Sequence, residues 1–169
     1  DFGLARVTDP DLQSGVEKMD TGSIRGTLPY MSPEQARGDL DNIDVRTDVY
    51  ALGVILYEMV TGRRPYPLNT NSLKTAVQMI CDTAPDPLQI DGFPSQLLAG
   101  ELQAVVHKAL SKDPEKRYRS VATLEEDVER FLTSIPIAAY STARSYRARK
   151  FISRHRSGVA AAILMTIAL

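Results

Sequence analysis

The side chains able to do chemistry in this 169-residue chain are carboxylates, hydroxyls and a guanidinium rather than thiols or imidazoles. Asp1 stands ahead of Phe2 and Gly3. Thr21, Ser23 and Thr27 follow in a stretch of small and polar residues, Glu34 comes directly after Ser32-Pro33, Asp48 precedes an apolar run, and Arg117 sits in a polar turn. A carboxylate offers hard oxygen ligands to Mg²⁺. A hydroxyl can carry a phosphate of about −1.5 to −2 charge, which can pin a mobile loop to an arginine. A carboxylate and a guanidinium can make two parallel hydrogen bonds. Taken one at a time these residues are ordinary: Asp1-Phe2-Gly3 reads as a surface turn, Thr27 as a solvent-facing cap and Asp48 as a helix-dipole partner. Cys81 is the single cysteine, so no intrachain disulfide forms, and His107 and His155 are too far apart for a zinc cluster. A reducing compartment fits this inventory.

The elements that must position those residues are helical. Residues 1–43 have no sustained helical or alternating pattern, which is long for a connection inside a compact domain and marks a functional or disordered loop. Val49–Val60 is apolar on every side, with Asp44 or Thr47 as N-cap and Gly62 as stop signal. It is too short to cross a bilayer and reads as the buried central helix of a helical domain. Residues 62–100 are proline-rich around one short helix near Ser72–Ile80. Leu102, Val105, Val106, Ala109 and Leu110 form one apolar stripe. Val121, Leu124, Val128, Phe131 and Leu132 form a second behind Ser120 as N-cap, and Asp113-Pro114 breaks the chain between them.

Charge divides the chain. Residues 1–140 hold 14 Lys+Arg against 21 Asp+Glu, whereas 141–169 hold six basic residues and no acid. Arg144, Arg147, Arg149, Lys150, Arg154 and Arg156 precede the apolar run 158–169, the usual beginning of a membrane span. The run falls short of the roughly 20 apolar residues that a span requires. Because the chain opens on Asp1 rather than Met and closes inside that run, it reads as a fragment cut within the span. Nucleic-acid binding is disfavoured, since only Tyr146 and Phe151 interleave the basic residues.

Five blocks stand in a specific order: Asp1-Phe2-Gly3-Leu4-Ala5-Arg6, Gly26-Thr27-Leu28-Pro29-Tyr30-Met31-Ser32-Pro33-Glu34, Asp48-Val49-Tyr50-Ala51-Leu52-Gly53-Val54, Gly62-Arg63-Arg64-Pro65-Tyr66 and Asp113-Pro114-Glu115-Lys116-Arg117-Tyr118. Together they resemble the C-terminal lobe of a eukaryotic-type protein kinase from its D-F-G motif onward. Ser32 replaces the usual Ala of A-P-E, and the Gly-Thr-x-x-Tyr block is similar to the serine/threonine branch. With the basic stretch and apolar run, the arrangement resembles bacterial membrane-anchored serine/threonine kinases.

The resemblance implies a mainly α fold, the helical C-lobe of a two-lobe α+β domain: activation segment at 1–34, helical core at 35–133, basic juxtamembrane linker at 134–157 and a truncated transmembrane helix from 158 to 169. It implies transfer of the γ-phosphoryl of ATP to protein Ser/Thr hydroxyls, with ATP and Mg²⁺ as cofactors and Asp1 as metal ligand. Phe2 would be the packing residue and Gly3 the flexible point beside it. Thr27 would orient the catalytic base and floor the peptide site. Thr21 and Ser23 are candidate phosphosites. Glu34 would pair with Arg117, and Asp48 would accept backbone hydrogen bonds from the catalytic loop. Implied partners are protein substrates, a membrane held by a single-pass anchor with the kinase lobe cytoplasmic, and room for a dimer, in transmembrane signalling. The Gly-rich loop, β3 lysine and catalytic loop precede D-F-G in the family, so the chain alone is not expected to be active. The rival reading is a pseudokinase or membrane-anchored scaffold without catalysis.

Overall fold

A computed structural model describes residues 28–68, 72–88, 96–140 and 144–155, together with Met165. Asp1, Phe2, Gly3, Thr21, Ser23 and Thr27 lie outside the described residues, as does the run from 158 apart from Met165. The described residues form helices and turns with no strand among them. In order these are α1 (Pro33–Arg37), α2 (Val45–Thr61), α3 (Leu73–Asp82), α4 (Gln96–Ala109), α5 (Val121–Leu132) and α6 (Arg144–Arg154), with 3₁₀ turns at Leu28–Tyr30, Leu40–Asn42 and Pro114–Lys116.

Local chemistry sets the boundaries. Ser32 caps α1 with a reciprocal capping box to Gln35, and Gly38 ends it at φ 72°. Asp44, not Thr47, caps α2 by accepting from the Arg46 N–H, and Gly62 ends it at φ 66°, donating to the Glu58 carbonyl. Helix α3 begins behind Ser72 and α5 behind Ser120, each hydroxyl accepting from the amide three residues on. Beyond α5, Ser134 takes a left-handed φ of 57° and the Ile135 N–H returns to the Arg130 carbonyl.

Helix α2 is the hub, packing against α4, α5 and the Leu28–Tyr30 turn, while α1 packs on α3. Tyr50, Val54 and Tyr57 of α2 meet Tyr66, Leu102, Val106 and Leu110 in one cluster, and Val49 joins Val105, Ala109, Tyr118 and Leu124 in a second. Gly53 is required where α2 crosses α4, because a Cβ there would lie 2.8 Å from the Ala109 Cβ. The whole α4 stripe is buried. The other two apolar expectations are met only partly. On α5, Leu124 is buried but Leu132 is 74% exposed. On α2, Leu52, Ile55 and Met59 turn away from the core and line an open groove of about 520 Å³ against α5, which no described residue covers.

The segment expected as a linker contains α6, and α6 is held against the lobe. The Tyr146 hydroxyl accepts from the Ile137 N–H, its ring meets Tyr140 edge-on, and the Lys150 Nζ lies 2.7 Å from the Glu101 Oε2 of α4 with both side chains buried. Among the described residues no helix is long and apolar enough to cross a membrane.

Candidate functional site

The described part of the site is the anchor of the segment that runs through Thr27 to Glu34. Leu28 is buried with Ala76 and Ile80 of α3, which fixes the chain one residue beyond Thr27. The Tyr30 hydroxyl donates to Glu58 Oε2 at 2.8 Å, and that bond, with burial second, raises the Tyr30 pKa. Arg64 pairs with the other Glu58 oxygen at 3.1 Å. Cys81 is buried with its thiol against the Pro33 carbonyl at 3.7 Å, so α3 is seated on the start of α1.

Glu34 and Arg117 are brought together at the centre of this anchor. Arg117 Nη1 donates to Glu34 Oε1 at 2.6 Å and Nη2 to Oε2 at 2.7 Å, with side-chain exposures of 0% and 4%. Thr47 Oγ1 adds a third bond to the carboxylate at 3.0 Å. Arg117 also donates to the carbonyls of Ser111 at 2.7 Å, Arg46 at 3.1 Å and Lys112 at 3.4 Å, and its guanidinium lies 5.0 Å from the Tyr50 ring centroid. Burial works to raise the Glu34 pKa, and the Arg117 hydrogen bonds together with the backbone bond outweigh it, so the net shift is downward. A buried pair satisfied this fully fixes geometry, and loss of either partner would strand a buried charge.

Lys112 extends the network to α3. Its ammonium donates to the Tyr66 hydroxyl at 2.8 Å and to the Ile80 carbonyl, and it sits 4.1 Å over the Tyr66 ring. Burial lowers its pKa to about 8. The Tyr50 hydroxyl donates to that of Tyr66 at 3.3 Å, which links the lysine to the arginine. Asp127 of α5 is buried and accepts from the Tyr118 hydroxyl at 3.0 Å and from the Ala138 and Ala139 amides at 2.7 and 2.9 Å.

Asp48 is exposed in the first turn of α2, and the catalytic-loop donors that the resemblance assigns to it are not among the described residues. No group of three or more His, Cys, Asp or Glu side chains among the described residues could hold a metal ion. Asp1, the residue offered to Mg²⁺, lies outside them. Sequence reasoning missed Lys112, Asp127 and the Glu101–Lys150 pair. Lysines and acids at those positions carry the signature of solvated residues, and their partners are distant in the chain. The described arrangement is therefore a floor that holds the residues after Thr27 in place.

Comparison with known proteins bears on what that floor supports. The model of the protein kinase domain matches residues 1–128. The serine/threonine-protein kinase PknB of Mycobacterium tuberculosis is 40% identical over 131 residues, 77% of this chain and 19% of the relative. PknB of Mycobacterium leprae is 39% identical over 139 residues, 80% of this chain and 20% of the relative. A probable serine/threonine-protein kinase of Streptomyces coelicolor is 36% identical over 139 residues, 82% of this chain and 19% of the relative. The chain spans about a fifth of the length of these curated relatives. With the matched region running through the anchor, the central helix and the Arg117 turn, the chain belongs to the protein kinase domain family.

Proposed function

We propose that the chain is the C-terminal lobe of a serine/threonine protein kinase that moves the γ-phosphoryl of ATP to Ser and Thr hydroxyls of protein substrates in the presence of Mg²⁺. The observation that carries this reading is the Glu34–Arg117 clamp within a continuous kinase-domain match, because it fixes the chain just beyond Thr27 to the helical core. In phosphoryl transfer the protein's task is mostly positioning and charge stabilisation. The nucleotide and its metal supply the reacting group when bound. Asp1 would hold the metal, Gly3 would let that carboxylate reorient, and Thr27 would orient the base and the acceptor hydroxyl. Leu28, Tyr30 and Glu34 fix the chain that follows Thr27 to the helical core. The basic segment and the apolar run from 158 support a single-pass anchor with the lobe on the cytoplasmic side, in a signalling role.

The test is phosphoryl transfer by the complete protein on a protein substrate, with Asp1→Asn and Thr27→Ala compared with the parent. Losses on the order of 10²-fold or more are expected for Asp1→Asn, with Thr27→Ser retaining activity that Thr27→Ala loses. Unchanged rates would remove the site assignment, and an inactive parent would leave the scaffold reading in its place. Extraction of the complete protein from membranes by a carbonate wash would overturn the anchor.

A further inference from the structure

We infer that the outward face of α6 is a membrane-contact surface, seated on anionic lipid headgroups while its inward face is locked to the lobe. The inference rests on the membrane-anchored reading above and adds to it which residues touch the bilayer. The described side chains of α6 fall on two faces. Tyr146 and Lys150, one helical turn apart, are 6% and 3% exposed and point into the lobe. Arg147, Ala148, Phe151, Ile152 and His155 are exposed, with Phe151 at 56% and Ile152 at 50%. Two large apolar side chains together on a helix surface, one of them with its ring tilted against His155 at 4.7 Å, are costly in water and suited to the headgroup boundary.

Charge selects the partner. Residues 141–157 carry six Lys/Arg and no acid, whereas residues 1–140 carry seven more acids than bases. An anionic surface therefore attracts the α6 segment and repels the rest of the lobe, which gives the contact one orientation. The apolar run 158–169 follows immediately, so a bilayer reached by that run already lies within a few residues of α6. Through Lys150–Glu101 and Tyr146–Ile137 the contact is transmitted to α4 and the core without a slack tether.

The chain contains no tryptophan, so Phe151→Trp is a single reporter on this face. The 169-residue chain carrying it is mixed with vesicles of phosphatidylcholine alone or of phosphatidylcholine with phosphatidylglycerol. The expected result is a blue-shifted emission on the mixed vesicles that is reversed by high salt, with Arg147→Gln weakening binding about fivefold. Phe151→Ser with Ile152→Ser should weaken binding while leaving the urea midpoint unchanged, since both side chains are exposed. Cosedimentation with both vesicle types and no emission change would overturn the α6 contact and leave the anchor by 158–169 standing. Failure to cosediment with either would overturn the α6 contact, with the anchor judged separately by the carbonate wash of the complete protein, and an emission shift that instead follows self-association would overturn it in favour of a second acidic lobe.

Discussion

Arg117 grips Glu34 with both terminal nitrogens across 83 residues of chain, at 2.6 and 2.7 Å, in a site with almost no solvent exposure. The pair joins the end of the segment that carries Thr27 to the turn before α5. Its strength comes from completeness, because Thr47 and three backbone carbonyls occupy the remaining positions.

Removing one partner should cost about 3–5 kcal/mol. Urea unfolding of Glu34→Ala, Arg117→Ala and the double variant should give a coupling energy well above zero, and strict additivity would contradict the clamp. The pH dependence has a definite sign. Glu34 titrates lower folded than its ordinary value of 4.5, so its stabilisation is complete above that value and is lost as pH falls through the folded pKa. Arg117→Ala should flatten that acid limb.

Lys112 gives the opposite kind of slope. Its folded pKa is about 8 against an ordinary 10.5, so between those values the unfolded chain holds more protons and stability rises with pH. Above about 10 the buried tyrosines reverse the trend, because burial raises Tyr50, Tyr66 and Tyr118 and the unfolded phenols ionise first. Lys112→Met should abolish the rise between pH 8 and 10, read by thermal unfolding, and leave the fall above it.

Gly53→Ala should destabilise even though alanine is better in a helix by about 1 kcal/mol. The new Cβ would meet the Ala109 Cβ at 2.8 Å and Leu110 at 3.2 Å, and a Cβ cannot swing aside. A net cost of about 1–3 kcal/mol is expected, partly recovered by adding Ala109→Gly. A more stable Gly53→Ala variant by urea titration would show that α2 and α4 can separate freely.

Asp127→Ala leaves the Tyr118 hydroxyl and the Ala138 and Ala139 amides without their acceptor. A loss of about 3 kcal/mol follows from stranding buried donors. Amide hydrogen exchange at Ala138 and Ala139 should accelerate more than exchange in α2, and uniform acceleration would mean that Asp127 acts only through global stability.

Thr21 and Ser23 belong to the proposed activity. Incubation of the complete protein with ATP and Mg²⁺ should add phosphate to one or both, read by mass spectrometry, and Thr21→Ala with Ser23→Ala should lower its activity. An unmodified loop together with unchanged activity in the double variant would dismiss both as phosphosites.

The helices were largely legible because their signals are local. Asp44, Gly62, Ser72 and Ser120 mark ends through bonds to neighbours within four residues, and the α4 stripe needs only its own period. The resemblance named Glu34 and Arg117 as partners, while the shared acceptors around them became visible only in three dimensions. Helix α6 escaped because its inward face is a tyrosine and a lysine, and a lysine enters a core only when a distant partner such as Glu101 awaits it. The central helix appeared apolar all round, yet its Leu52–Ile55–Met59 side opens on a groove, since periodicity reports what a face prefers and not what covers it.

The separation of Glu34 from Arg117 also orders events during synthesis. Glu34 leaves the ribosome well before its partner has been translated, and at roughly 5–20 residues per second the interval is about 4–17 s. During that time the carboxylate must stay hydrated, so α1 cannot settle against the core in its final form. The lobe therefore cannot close around this pair until the turn after α4 arrives and brings Arg117 to a carboxylate that has been waiting for it.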